Sequence, residues 1–143
     1  MRRSTFLAAT AFVAGLGLYC APALAVETPA QSKPAQVEAI AGSSLKKVTL
    51  TPKAAERLGV QIDEVRADMS GRRIVPYSAV LYDLTGGAWV YVHSDPMTFV
   101  RQAVTIDTIK GNNAYLSDGP SLGTKVLATA VPQVFGTEAG VGH

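Results

Sequence analysis

Few side chains in this sequence are suited to chemistry. They are two histidines, His93 and His143, a single cysteine, Cys20, and the methionines Met69 and Met97 beside the initiator. His93, Met97 and Met69 together would make a soft-metal set, because imidazole and thioether both accept Cu(I). Met69 falls in a different turn, however, and nothing local brings it near the other two. The plainer reading is a strand-end histidine with methionines that cover loops, so no metal site is assigned. General acid–base catalysis by histidine would rest on His93 alone, since His143 ends the chain. The carboxylates are scattered. There is no phosphate-cradling glycine loop ending in Lys-Ser or Lys-Thr, no Gly-x-Ser-x-Gly elbow and no His-Glu-x-x-His. A nucleophile, a base and an orienting group do not converge, and the expectation is a non-enzymatic protein without a cofactor.

Binding is a better prospect than catalysis. In Ala88-Trp89-Val90-Tyr91-Val92-His93 the alternation puts Ala88, Val90 and Val92 on one face, as suits a core. Trp89, Tyr91 and His93 share the other face, and Tyr82 and Phe99 are placed to lie beside them across a sheet. Such an aromatic row is either a second packed layer or a contact surface for a protein partner. Both readings stay open at this point, and Tyr82, Trp89, Tyr91 and Phe99 are the candidate contact residues.

The elements that must position this row are mainly β. Residues 45–50, 60–66, 72–83, 88–93, 98–106, 114–116 and 124–130 read as strands, rich in β-branched and aromatic residues and bounded by turn signals. Pro76 lacks a ladder donor and must sit at an edge, a bulge or a change of pairing. One brief helix interrupts the series. Thr51 is its N-cap, Pro52 its first residue, and Gly59 takes the left-handed position after the last turn. The pattern predicts an all-β fold, a small barrel or sandwich of about six to eight short strands with one single-turn helix.

The start of the chain reads as an export signal over residues 1–25. Arg2 and Arg3 precede an apolar run, and Ala23-Leu24-Ala25 supplies the small-x-small cleavage pattern. Tyr19 before Cys20 makes a poor lipobox. After cleavage no cysteine remains, so the exported domain must hold by its core, without disulfide or thiolate. Without Arg2 and Arg3 the chain carries 11 basic and 11 acidic residues. No basic stripe points to nucleic acid or to an anionic membrane surface. Residues 26–44, with Pro29 and Pro34 and few bulky apolar side chains, read as a flexible leader. Residues 45–136 form the domain, and residues 137–143 read as a glycine-rich flexible tail.

Several segments, taken in order, resemble a known family. They are Val75-Pro76-Tyr77-Ser78-Ala79-Val80-Leu81-Tyr82-Asp83, Gly86-Gly87-Ala88-Trp89-Val90-Tyr91-Val92, and Thr98-Phe99-Val100-Arg101-Gln102-Ala103-Val104-Thr105. They resemble the C-terminal part of periplasmic adaptor subunits, the membrane fusion proteins of the HlyD and RND-efflux type. Ser117-Asp118-Gly119-Pro120-Ser121-Leu122-Gly123-Thr124-Lys125-Val126-Leu127 is similar to the family's G-L-x-x-G-x-x-V-V loop and closing strand, with Pro120 where the family usually has Leu. The stretch from Val48 to Gln61 is similar to its N-terminal strand–turn–strand. The resemblance implies the membrane-proximal β domain and a periplasmic role in efflux. It also implies contact with an inner-membrane pump or a full-length adaptor, the membrane being reached only through that pump. The chain departs from the pattern in one respect. Family members carry a long insertion between the two matching parts, with further β domains and a helical hairpin, whereas here a few polar residues around Asp68-Met69-Ser70-Gly71 join them.

Overall fold

The computed structural model of the chain describes residues 33–94 and 96–141. The expected signal peptide, residues 26–32 of the expected leader, Cys20 and His143 lie outside the described residues.

The described chain runs β1 (Ala35–Ala39), β2 (Lys46–Leu50), α1 (Pro52–Arg57), β3 (Ile62–Glu64), β4 (Arg66–Ala67) and β5 (Arg73–Pro76). A 3-10 turn (Tyr77–Ala79) leads to β6 (Leu81–Tyr82), β7 (Ala88–Ser94), β8 (Thr98–Lys110), β9 (Asn113–Asp118), β10 (Lys125–Leu127) and α2 (Val131–Ala139). The fold is mainly β, as the alternation predicts. Helix α1 forms for the expected reasons: Thr51 Oγ1 accepts the Ala54 N–H at 3.2 Å, Pro52 opens the first turn, and Gly59 sits at φ +62°. Pro76 ends β5 opposite Asn113, where the strand gives way to the 3-10 turn, so its missing N–H interrupts no ladder.

Every strand pairs antiparallel; seven follow the order β3-β10-β7-β8-β9-β5-β4, while β2 joins β1 to β8 and β6 pairs with β7. The two ends of that order, β3 and β4, are the halves of one extended run over residues 62–67, so the sheet returns on itself as a nearly closed barrel. Val65 is the hinge of this run. Its N–H donates to the Thr124 carbonyl at 2.9 Å, and its carbonyl accepts the Gly123 N–H at 2.8 Å. The 13-residue β8 serves two partners, β7 along its first half and β9 along its second, with register shifts around Ile106 where it bends.

The ring sends apolar side chains inward from β5, β7, β8, β9 and β10, from Val65 between β3 and β4, and from Ala79 of the 3-10 turn. Val65, Val75, Ala79, Val90, Val104, Ala114, Leu116 and Val126 form one buried cluster. A second cluster lies on the other face of the β7–β8–β10 wall. There Tyr91, Phe99 and Leu127 pack with Val48 and Leu50 of β2, Ala55 of α1, and Val131 and Val134 of α2. The fold is therefore a barrel with one wall overlaid by a β1–β2 hairpin and two helices.

Two domain expectations need correcting. Residues 35–39, assigned to the leader, form β1, whose backbone pairs in register with β2 from Ala35 opposite Leu50 to Ala39 opposite Lys46. Its side chains stay largely exposed, so composition carries no sign of it. Residues 137–139, assigned to the tail, belong to α2, where Glu138 is buried. The strand tally also exceeds the expected range, because β1 adds one and the runs 62–67 and 73–82 are each divided in two.

Candidate functional site

The aromatic row resolves into residues with different fates. Tyr91 and Phe99 are fully buried and do not form a contact surface. The reason is the outer layer. Val48 of β2 stands opposite Phe99, and α2 lies over Tyr91. Trp89 is half-buried. Tyr82 is exposed, and it does not lie beside the row, because it pairs with Ala88 while Leu81 pairs with Trp89, which puts Tyr82 on the opposite face of β7. For Tyr91, Phe99 and Trp89 the packed-layer reading therefore holds.

What the row builds instead is a buried polar cluster. Register places Tyr91 opposite Arg101 and His93 opposite Phe99 on one face. The Tyr91 hydroxyl donates to Glu138 Oε2 at 2.6 Å, while Arg101 Nε and Nη2 donate to Glu138 Oε1 at 3.0 and 2.9 Å. The Arg101 guanidinium also lies between two rings, 5.1 Å from the Trp89 centroid and 5.5 Å from that of Phe135. Burial, joined by the Glu138 carboxylate, pushes the Tyr91 phenol well above its usual range and holds it protonated as a donor. Lys46 Nζ caps the Glu138 carbonyl at 3.1 Å, a favourable place for a cation at a helix C-terminus. The cluster fastens α2 to the barrel wall. Its groups satisfy one another.

Trp89 is held from its other end. Its indole N–H donates to Asp83 Oδ2 at 2.8 Å, and Asp83 Oδ1 accepts from Thr85 N, Thr85 Oγ1 and Gly87 N at 2.7–2.9 Å. These donors, the Thr85 hydroxyl first and the indole next, lower the Asp83 carboxyl to about 2. Beyond this loop lies an exposed surface. Tyr77 of the 3-10 turn, Tyr82 of β6 and Leu84 of the β6–β7 turn all project to solvent. Desolvation, followed by the neighbouring Tyr77 phenol, raises the Tyr82 hydroxyl. Of the candidate contact residues, Tyr82 alone is exposed, and Tyr77 and Leu84 are additions that alternation within β7 had no means of revealing.

The soft-metal set is not assembled. Met69 projects fully into solvent from the β4–β5 turn. Met97 packs on the outer cluster, and the His93 ring lies 5.4 Å from that of Phe99. Among the described residues no group of three His, Cys, Asp or Glu side chains is arranged to hold a metal ion.

The β4–β5 turn is built around Asp68. Asp68 Oδ1 accepts the N–H groups of Ser70 and Arg72 at 2.7 and 2.9 Å, and Oδ2 accepts Arg72 Nε at 2.9 Å. The Arg72 N–H contributes most to lowering the Asp68 carboxyl. Gly71, at φ +79°, supplies the left-handed step that returns the chain. Comparison with protein-family models, with curated proteins and with solved structures gives no match.

Proposed function

We propose that this chain is a non-enzymatic periplasmic protein related to RND-efflux adaptor subunits, acting by contact with an inner-membrane pump or a full-length adaptor. The observation that carries the reading is the β4–β5 hairpin. The part ending at Ala67 and the part beginning at Arg73 pair directly, Arg66 with Ile74 and Ala67 with Arg73, across the Asp68-centred turn. Parts that flank a long insertion in the adaptor family here close one barrel without it. Such closure costs little, since the loop entropy of a short turn between paired strands is small. The family-like segments map onto β2–α1, β5–β6, β7, β8 and the β9–β10 connection, all in the same sheet system.

Contact runs through the surface formed by Tyr77, Tyr82 and Leu84, where a rigid carboxylate-braced turn presents apolar and phenolic groups to solvent. With no helical hairpin among the described residues, a domain of this kind works beside a full-length adaptor or directly on the pump. Affinity purification of the protein from crosslinked cells tests the reading. Recovery of a pump subunit or an adaptor, reduced in a Tyr82→Ser/Leu84→Ser variant, is the expected result. Absence of any transporter component under crosslinking would remove the proposal.

A further inference from the structure

At one end of the barrel a groove of about 650 Å³ is lined by Arg72, Arg73, Asp107, Leu116, Ser117 and Leu122, with Gly71 and Ser121 at its edge. Its two arginines are in different states. Arg72 is occupied: Nε is 2.9 Å from Asp68, Nη1 is 3.7 Å from Asp107, and the guanidinium lies 4.8 Å from the Tyr115 ring centre. The Arg73 guanidinium has no ion pair or hydrogen bond among the described residues, although the residue is half-buried. Strand alternation places it on the face of Val75, opposite Leu116, and both of those belong to the barrel interior. A cation thus stands at the mouth of an otherwise apolar ring with no ion pair of its own among the described residues. Beside it stand Ser121, Ser117 (whose hydroxyl donates to the Thr105 carbonyl at 3.3 Å), the apolar floor of Leu116 and the half-exposed rim of Leu122.

We infer that this groove binds a small amphipathic monocarboxylate, the carboxylate on the Arg73 fork and the hydrocarbon along Leu116 and Leu122. A planar guanidinium matches a carboxylate with two parallel hydrogen bonds. A single unneutralised cation beside the Asp107 carboxylate favours one negative charge over two, which selects against phosphate. The mouth of a β-barrel with an apolar floor and one convergent charge is a common setting for a ligand site. The inference is independent of the adaptor reading.

Octanoate, octanol and inorganic phosphate, each titrated into the intact ¹⁵N-labelled protein and followed by amide chemical shifts, provide the test. Octanoate should give saturable shifts at Gly71, Ser117, Ser121 and Leu122. Octanol and phosphate should each bind at least about tenfold more weakly, as expected when the ion pair or the apolar contact is missing. Arg73→Gln should weaken octanoate at least about tenfold. Ser121→Glu, at an exposed position, should do the same by lending Arg73 a carboxylate of its own, and it decides the matter should Arg73→Gln disturb the fold. Octanoate shifts that do not saturate, that lie elsewhere, or that survive both substitutions would overturn the inference. Equal binding of phosphate would overturn the assigned ligand class.

Discussion

Val90 and Tyr91 are neighbours in β7, and Val126 and Leu127 are neighbours in β10, yet each pair divides between two cores. The inner cluster, drawn from around the barrel ring, consists of Val, Ala and Leu and contains no polar side chain. The outer layer has larger apolar groups and, over them, the Tyr91–Arg101–Glu138 cluster that fastens α2. The inner core rests on close packing alone. The outer layer adds charge-assisted hydrogen bonds whose parts depend on each other. Losing one member of a buried ion pair strands its partner, whereas replacing the whole set can be neutral. The two regions should therefore respond differently to substitution.

The largest contrast is expected at Glu138. Glu138→Ala leaves Arg101 and the Tyr91 hydroxyl without their acceptor and should cost about 3–5 kcal/mol in denaturant unfolding. The combined variant Glu138→Leu/Arg101→Met/Tyr91→Phe should recover most of that loss. A triple variant as unstable as the single would mean that the cluster is not a mutually dependent unit.

Next come matched truncations of the two cores. Leu127→Ala and Leu116→Ala remove the same atoms from the outer and inner clusters, and each should cost about 2–5 kcal/mol. Their local signatures should differ. Leu127→Ala should speed hydrogen exchange in α2, while Leu116→Ala should leave α2 protected and loosen β5 and β9. Identical exchange patterns would merge the two regions into one.

A smaller, pH-dependent effect should appear at Asp83. Its carboxyl is lowered to about 2 in the folded state, so its stabilising effect is complete above the usual carboxylate value near 4. It is lost as pH falls through about 2, because the unfolded state takes up the proton first. Trp89 is the only tryptophan, so its fluorescence should report the loss of the indole hydrogen bond within that window. Asp83→Asn should remove the transition. The smallest effect is reserved for the exposed Lys47–Glu38 pair at 2.6 Å between β1 and β2, where Lys47→Ala should change stability by less than about 1 kcal/mol.

What was legible in the sequence rests on local evidence and falls in both layers. Alternation identified Val90 of the inner core, cap chemistry identified α1 of the outer layer, and Pro76 marked a change of pairing within a run read as one strand. Of the outer layer, β1 and α2 were not legible, because what orders them lies in distant parts of the chain. β1 offers exposed small and polar residues and is ordered through backbone pairing with β2. α2 lacks a side-chain N-cap, follows Ala130 at φ +60°, and carries a glutamate where helical spacing from Val131 and Val134 would place an apolar residue. Only Arg101 and Tyr91, remote in sequence, explain why Glu138 can be buried. The contact surface was half legible: Tyr82 could be named, but its face depends on the β6–β7 register.

The proposed role is tested most directly by placing a photo-crosslinking residue at Tyr82 in living cells, with Val37 on the overlying hairpin as an exposed control. The account predicts an adduct from position 82 whose partner, identified by mass spectrometry, is an inner-membrane pump subunit or a full-length adaptor, and no such adduct from position 37. Light-induced adducts that contain no transporter component, or that form equally from both positions, would contradict it.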